Sequence, residues 1–388
     1  MADLFRRPEL AKAMAQQLLA PGVLDEGLRS GLFLSGVRRT GKTTFLRQDL
    51  IPALEEAGAI VIYVDLWTDT QANPANLVQA AIAKALTDLQ NPASSVLAKL
   101  KQIKKLDIGV AAFKFGFQIE SIGVKGGPTI AEALTEVVDQ AKTNVVLIID
   151  EVQHALTNDD GNQMLLAIKA ARDAINPRPT TPGRFLFVGT GSHRAQVAEM
   201  TARKNQAFAG ATSVPYPLLE GDYVAFLMDR IAGDGAKELP SLDAANKAFQ
   251  ALGNRPEEML KALRQLQTSV PPGRSPDEFL PVIAATLRGA AADVELHRIE
   301  ELGDLAWAIF ERIAAVEGDA RGVFSADALS EYSKSIGREV TPDQVQRIAS
   351  ELVDANLVMR KGHGIYGVTD PFVQTLWRER KAIGLSKP

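Results

Sequence analysis

The segment at residues 36–43 constrains this chain more than any other part of its sequence, because it follows the pattern G-x-x-x-x-G-K-T. An apolar run at residues 31–34 precedes it, and a stretch of helical periodicity, residues 45–51, follows it as far as Pro52. In this order of strand, loop and helix, glycines let the backbone curve around phosphate oxygens, and N–H groups at the helix start attract anions. The sequence therefore predicts a site for the phosphates of a nucleotide. The residues expected to form it are Gly36, Val37, Arg38, Arg39, Thr40, Gly41, Lys42, Thr43 and Thr44.

Two side chains of this segment have expected roles of their own. The ammonium of Lys42 is placed to reach the outer phosphates, which also makes it a candidate catalytic residue. The hydroxyl of Thr43 is placed to ligate Mg2+. A plain glycine turn ahead of a helix would explain the same residues without a ligand, but the flanking strand and helix argue against it.

A second motif begins with five branched apolar residues, 145–149, which run directly into Asp150 and Glu151. Such an unbroken run favours a strand covered on both faces, as in a parallel sheet. Carboxylates at the end of such a strand lie where doubly wound folds bind ligands. We expect Asp150 to hold Mg2+ through its water shell and Glu151 to act as general base on the attacking water. The alternative is that Asp150 only caps the following helix.

Two further apolar runs predict buried strands of the same sheet. The first covers residues 59–64, and the second, residues 184–189, ends in Thr190 and Ser192. From the end of its strand, either hydroxyl could reach the γ-phosphate or the attacking water. Small polar residues also begin turns without any catalytic role, so both interpretations stay open.

Residues 91–128 interrupt this alternation of strands and helices. Over residues 108–124 apolar and polar side chains alternate, most clearly at Phe113, Phe115 and Phe117. We expect a bulged strand or hairpin inserted into the domain. Either it folds onto its own domain, or its apolar face contacts a second subunit or another partner, since exposed apolar edges are a liability.

The C-terminal half has a different pattern. Residues 222–288 are helical in periodicity, and Gly253-Asn254-Arg255-Pro256 opens a helix at residues 257–267. From about residue 302, three helical segments precede two short alternating runs joined by a glycine-containing turn, which predicts a winged helix. We expect three domains: a nucleotide-binding core at 1–218 with the 91–128 insertion, a helical lid at 219–296, and a winged-helix domain at 297–388.

Composition excludes several classes of protein. The 388 residues include no cysteine, so disulfides and thiolate metal sites are excluded, and four scattered histidines do not suggest a histidine metal cluster. The sequence has no apolar segment of signal-peptide type or of membrane-spanning length, so we expect a cytoplasmic protein without membrane contact. A net charge of −4 gives no support for extensive nucleic-acid binding.

Together these motifs resemble the AAA+ ATPases of the STAND-like archaeal ATPase group, relatives of the origin-recognition initiators. Beside residues 36–43, the resemblance rests on Ile149-Asp150-Glu151-Val152-Gln153, Thr190-Gly191-Ser192, Gly253-Asn254-Arg255-Pro256, and residues 365–372, which read I-Y-G-V-T-D-P-F. Phe5, Arg7, Glu9 and Leu10 are similar to part of that group's N-terminal motif, without its glycine. The resemblance implies an α/β fold of the P-loop NTPase (AAA+) type with a parallel sheet, a helical lid and a C-terminal winged helix. It also implies ATPase activity with ATP and Mg2+ as ligands.

The resemblance suggests roles for several arginines. Arg255 would reach the phosphates from the lid as a sensor, although an ordinary ion pair at a helix start would also account for it. The Gly-Arg pair that the group often carries before its last core strand is replaced here by Gly210-Ala211, so an activating arginine would have to be another, such as Arg194 or Arg203. Arg38 and Arg39 could face phosphate, a neighbouring chain or solvent.

Three functions are compatible with the sequence. The first is an ATP-hydrolysing switch or motor, often assembled as a homo-oligomer in such folds, in which the nucleotide moves the winged helix. The second is an ATPase that binds DNA in loading or transposition-like processes. The basic wing (Arg360, Lys361, His363) and tail (Arg378, Arg380, Lys381) favour it, whereas the acidic helix 342–355 opposes it. The third is an ATP-sensing regulatory or defence protein that acts through a protein partner.

Overall fold

The computed structural model describes residues 4–94, 97–98, 102, 113–236, 238–271 and 273–384. Its N-terminal part contains five strands, β1 (Leu32–Ser35), β2 (Ile60–Asp65), β3 (Val145–Asp150), β4 (Phe185–Gly191) and β5 (Thr212–Pro215). They form one parallel sheet in the order β2-β3-β4-β1-β5. The parallel sheet predicted from the apolar runs is therefore confirmed.

Helices cover both faces of this sheet. They are α1 (Pro8–Leu19), α2 (Gly27–Ser30), α3 (Lys42–Phe45), α4 (Ile51–Glu56), α5 (Pro74–Gln90), α6 (Ile130–Ala141), α7 (Asp159–Ile175) and α8 (Arg194–Ala202). Alternate residues of β3 belong to two different clusters of buried apolar side chains, one on each face. Burial on both faces explains why the run at residues 145–149 contains no polar residue.

The helix that follows the phosphate-binding loop continues through Pro52, so the predicted end at that residue is wrong. Between α3 and α4 the backbone forms a wider π-helical turn, Leu46–Leu50, and the N–H of Ile51 donates to the carbonyl of Leu46. A proline inside an ordinary α-helix lacks one N–H donor and clashes with the carbonyl four residues earlier. Pro52 stands in the first turn after the wide one, where these costs are small.

Residues 113–128 pack against the core without forming a strand, so the predicted strand or hairpin is wrong for them. Phe113 is buried in the cluster on one face of the sheet. The N–H of Gly116 donates to the carboxylate of Glu136 in α6 at 2.9 Å, a side-chain acceptor in place of a neighbouring strand. The rest of the alternating segment, residues 108–112, lies outside the described residues.

After β5, four helices make up most of the described chain as far as Glu301. The helices are α9 (Gly221–Gly233), α10 (Leu242–Ala251), α11 (Pro256–Ser269) and α12 (Pro276–Glu301). Their buried side chains form a cluster separate from those of the sheet. Pro256 is the first residue of α11. An N–H group at this position would have no acceptor within the helix, so its absence in proline costs nothing.

The C-terminal part combines helices with a small antiparallel sheet. Its elements are α13 (Asp304–Ala314), β6 (Ala320–Arg321), α14 (Ala326–Ile336), α15 (Pro342–Asp354), β7 (Val358–Gly362), β8 (Ile365–Val368) and α16 (Pro371–Ala382), and the strand order is β6-β8-β7. The predicted fold class, a P-loop α/β core followed by a helical region and a winged-helix arrangement, is confirmed. The predicted domain limits stay predictions. Across the described ranges, no helix combines the length and apolarity needed to cross a membrane.

Candidate functional site

The carboxyl ends of β1, β3 and β4 lie side by side in the sheet, and the predicted phosphate-binding and carboxylate residues meet there. The loop after β1 turns back through Gly41, whose φ of +90° lies in the left-handed region that glycine adopts without strain. At Gly36 a Cβ atom would come within 3.3 Å of Tyr216, so a larger residue would disturb the loop. The sequence therefore folds into the strand, loop and helix that its motif predicts.

Lys42 is buried inside this loop. Its Nζ donates to the carbonyl oxygens of Gly36 at 2.6 Å and Val37 at 2.9 Å. Burial lowers the pKa of Lys42, while the nearby carboxylates of Glu151 and Asp150 act in the opposite direction. The ammonium thus lies among the groups that are expected to surround phosphate oxygens.

Asp150 is fully buried and accepts hydrogen bonds on both carboxylate oxygens. Its Oδ2 accepts from the hydroxyl of Thr43 at 2.7 Å and from that of Tyr63 at 3.2 Å. Its Oδ1 accepts from the hydroxyl of Thr190 and from the N–H of Glu151. The residue at the cap of the following 3-10 segment is Glu151, so Asp150 does not cap a helix as the alternative interpretation supposed.

The residues present fit a magnesium ion. Because the Thr43 hydroxyl donates a hydrogen bond to Asp150, the lone pairs of the Thr43 oxygen stay available to a cation. Magnesium prefers oxygen ligands and is usually held by one or two protein groups together with phosphates and waters. The described part of the chain has no cluster of three or more His, Cys, Asp or Glu residues that could hold a metal by itself.

Glu151 has a backbone φ of +54°, an uncommon conformation for a residue other than glycine. Its Oε2 accepts hydrogen bonds from the Ser192 hydroxyl at 2.7 Å, from the Ser192 N–H at 3.0 Å and from Gln153 Nε2 at 2.5 Å. These donors hold the carboxylate beside the end of β4. In this structure Ser192 and Thr190 therefore bind the two carboxylates, and their predicted direct contact with phosphate or water stays a prediction.

The two arginines within the loop have partners in the chain. Arg38 stacks over the ring of Trp67 at 4.3 Å, and its Nε lies 3.4 Å from the Ser192 hydroxyl. Arg39 forms an exposed ion pair with Glu257 of α11 at 2.9 Å. Arg39 therefore connects the loop to the helical region.

Arg255 and Arg194 both contact the segment that leads into α16. Arg255 forms an ion pair with Asp370, and its guanidinium lies 4.6 Å above the ring of Phe372. Arg194 donates to the carbonyl oxygen of Thr369, and burial lowers its pKa. Arg194 thus faces the interior of its own chain.

Arg255 also lines a cavity of about 520 Å3 that reaches the phosphate-binding loop. Val37, Arg38, Arg39 and Ser192 line the same cavity. The sensor predicted in the lid is therefore close to the loop while it is bound to the winged-helix region. Arg203, the other arginine considered for activation, pairs with Glu199 of its own helix.

A second cavity, of about 400 Å3, adjoins the other end of the loop. Gly41, Thr44 and Phe45 contribute one wall, and Phe5, Leu219 and Tyr223 are among the residues that close it. Most of these side chains are apolar or aromatic, which suits the base of a nucleotide. The phosphate motif does not predict this cavity, although Phe5 belongs to the N-terminal motif of the resemblance.

Two more residues of the site have no sequence signal. Tyr63 donates to Asp150 and accepts from Arg47, and the positions of both residues follow from the pairing of β2 with β3 and from the turn after α3. Tyr63 looks like an ordinary alternating residue of a strand, and Arg47 like an exposed helical residue. Only the folded chain brings them to the carboxylate.

Comparison with known families identifies the core. The family model described as AAA domain matches residues 26–197, which contain the phosphate-binding loop, Asp150 and Glu151. Residues 26–197 are an AAA domain. The resemblance to AAA+ P-loop ATPases is thereby confirmed.

Solved structures similar to this chain cover nearly all of it. A Walker-type ATPase of Pyrococcus abyssi is 16% identical with a TM-score of 0.55, covering 97% of this chain and 96% of its own. The ORC2 protein of Aeropyrum pernix in its ADP form is 14% identical with a TM-score of 0.56, covering 99% and 96%. Its ADPNP-ADP complexes give 14% identity and a TM-score of 0.51, covering 98% and 96%. At such identities these likenesses establish the fold. A search of curated proteins found no match.

Proposed function

We propose that this protein hydrolyses ATP and that the bound nucleotide controls the position of the C-terminal winged-helix region. The observation that carries the proposal is the arrangement of Lys42, Thr43, Asp150 and Glu151 at the carboxyl ends of β1 and β3, the two strands on either side of β4. ATPase chemistry needs a cation for the phosphates, oxygen ligands for Mg2+ and a base for water. The AAA domain supplies each of these groups.

In the proposed reaction, the N–H groups of the loop and the Lys42 ammonium bind the phosphates. Thr43 and Asp150 would hold Mg2+, which neutralises negative charge on the phosphates when bound. Glu151 accepts a proton from the attacking water. Ser192 and Gln153 hold the carboxylate of Glu151 in place, so its orientation is fixed before the water is activated.

The base of the nucleotide is proposed to enter the apolar cavity beside Thr44 and Phe45. The N-terminal segment closes this cavity through Phe5, which packs against Tyr223 with ring centroids 5.5 Å apart. Tyr223 belongs to α9, so occupation of the cavity would connect the N-terminal segment, the core and the helical region.

The switch is proposed to work by exchange of partners at Arg255. In the described structure its guanidinium is bound to Asp370, which immediately precedes α16. The outer phosphate of ATP is a competing anion at the shared cavity, because Arg38, Arg39 and Ser192 of the same cavity belong to the phosphate site. Transfer of Arg255 from carboxylate to phosphate would release the winged-helix region from the core.

DNA binding is the weaker candidate, because most of the positive charges that favoured it are neutralised within the chain. The ion pairs are Lys361–Asp319, Arg378–Glu317, Arg380–Asp293 and Lys381–Glu311. The carbonyl of Asp354 at the end of α15 also accepts a hydrogen bond from His193 of the core. We therefore favour a protein partner for the winged helix. Gel-shift assays at low and moderate salt should show no complex with duplex DNA, and a salt-sensitive shift would favour the DNA-binding candidate.

The proposed hydrolysis is tested by replacing Glu151 with glutamine. Glu151→Gln keeps the size of the side chain and removes the base, so ATP should bind with nearly unchanged affinity while phosphate release falls by about 100-fold or more. Glu339→Gln, at an exposed residue between α14 and α15, is the matched control and should behave like the original protein. Undiminished phosphate release by the Glu151→Gln protein would contradict the assignment of the base.

A further inference from the structure

Tyr63 makes two hydrogen bonds through one hydroxyl group. The group lies 3.2 Å from Asp150 Oδ2 and 3.1 Å from Arg47 Nε. The guanidinium of Arg47 also lies 4.9 Å above the Tyr63 ring. Its Nη2 is 3.5 Å from Asp65 Oδ2.

The direction of these hydrogen bonds follows from the chemistry of the groups. A guanidinium can only donate, so the Tyr63 oxygen accepts from Arg47 and its proton is donated to Asp150. Burial raises the pKa of Tyr63, and the charge of Asp150 raises it further, so the phenol keeps this proton.

The oxygen that Tyr63 contacts is the one that faces Thr43. Asp150 Oδ2 accepts from both hydroxyls, whereas Oδ1 is held by Thr190 and by the N–H of Glu151. With donors on both oxygens, the carboxylate cannot rotate without breaking a hydrogen bond. Tyr63 is the donor that fixes the side of Asp150 on which the proposed magnesium ligand Thr43 lies.

The support for Tyr63 comes from the pairing of two strands. Asp65 and Asp150 are direct partners at the ends of β2 and β3. Between Asp65 and the Tyr63 hydroxyl, Arg47 supplies a positive charge that contacts both. Such an arrangement resembles the outer layer of a metal site, in which groups that do not touch the metal orient the groups that hold it.

We propose that Tyr63, supported by Arg47 and Asp65, is a positioning residue for the magnesium site of this ATPase. The inference rests on the proposed function, in which Thr43 ligates Mg2+ and Asp150 holds it through its water shell. The inference adds that the gain in affinity for ATP when Mg2+ is present depends on the hydroxyl of Tyr63, which lies on the strand next to that of Asp150.

The experiment compares Tyr63→Phe with the original protein in equilibrium binding of ATP, once with saturating Mg2+ and once with EDTA. Tyr63→Phe keeps the ring and removes only the hydroxyl, so affinity in EDTA should be unchanged. The gain in affinity on adding Mg2+ should shrink by about tenfold, as is typical for loss of an outer partner at a metal site. Arg47→Met should reduce the gain by a smaller factor, because it leaves the phenol in place.

Tyr332→Phe is the matched control, since it removes a buried hydroxyl that donates to the carbonyl of Val323 in the C-terminal region. An unchanged magnesium gain in the Tyr63→Phe protein would overturn the inference, as would an equal loss in Tyr332→Phe. Failure of the proposed function would be seen in the original protein instead. That protein would bind ATP equally with and without Mg2+, or would release no phosphate.

Discussion

Arg255 and Asp370, 115 residues apart in the sequence, form an ion pair that joins the start of α11 to the start of α16. Both side chains are mostly buried, and the ring of Phe372 covers the guanidinium. The residue assigned to sense phosphate is therefore also the residue that holds the winged-helix region. This double role makes the proposed exchange measurable.

Replacement of Asp370 by asparagine should increase the affinity for ATP. Asparagine can still cap α16, where Asp370 accepts from the N–H of Phe372, but it no longer competes as an anion for Arg255. We expect the dissociation constant for ATP to fall by about three- to tenfold, in the range of a charge-assisted hydrogen bond that is partly screened by solvent. Calorimetry in the presence of Mg2+ measures the change.

The control for Asp370→Asn is Glu317→Gln, which removes an exposed carboxylate paired with Arg378 in the same region. It should leave ATP affinity unaltered. Equal or weaker binding of ATP by Asp370→Asn would argue against the exchange at Arg255.

Replacement of Lys42 by methionine should separate ligand binding from stability. A hydrogen bond to a charged group contributes about 1.5–3 kcal/mol, so affinity for ATP should fall by roughly 10- to 150-fold. Without nucleotide, the melting temperature should stay the same or rise, because the buried ammonium is costly to desolvate, as its lowered pKa indicates.

Thermal unfolding with and without ATP tests both parts of this prediction. Lys84→Met, at an exposed residue of α5, serves as control and should keep the full stabilisation by ATP. A large fall in melting temperature of the Lys42→Met protein without nucleotide would show that Lys42 has a structural role instead.

His193 should make the contact between the core and the winged-helix region sensitive to acid. Its Nδ1 accepts from the N–H of Gln196, and its Nε2 therefore donates to the carbonyl of Asp354. Protonation of the imidazole would place a proton on Nδ1, where it would face the N–H of Gln196, and this hydrogen bond would be lost. Burial lowers the pKa of His193 below its ordinary value of 6.5.

The sign of the pH effect follows from this shift. Between the lowered pKa and 6.5 the folded chain binds fewer protons than the unfolded chain, so the free energy of unfolding falls as the pH drops through that interval. His193→Asn keeps a capping side chain but does not titrate. Denaturation at pH 7 and pH 5 should show a larger loss for the original protein than for His193→Asn, and equal losses would contradict the assignment.

The sequence predicts the parts of the site that depend on neighbouring residues. The loop from Gly36 to Thr43 and the pair Asp150-Glu151 each follow a strand, and local pattern alone determines which edge of the sheet they occupy. The ion pair between Arg255 and Asp370 could not be predicted, because it depends on how distant elements pack. The same reason hides Tyr63, whose role follows from strand pairing.

Two errors in secondary structure have local physical causes. The wide turn at Leu46–Leu50 lets the helix pass Pro52, which sequence rules treat as a helix end. At residues 113–128, alternation of apolar side chains suggested a strand, but backbone donors find side-chain acceptors on α6. The period of the apolar side chains does not show which groups accept hydrogen bonds from the backbone N–H groups.

The left-handed backbone at Glu151 means that the position of the proposed base is maintained against the conformational preference of its residue. A backbone held in such a conformation costs on the order of 1–3 kcal/mol, and only glycine adopts it freely. A glycine at this position would therefore relax the chain while removing the base. At this residue, selection for activity and selection for stability favour different amino acids, so the most active form of the protein is not its most stable form.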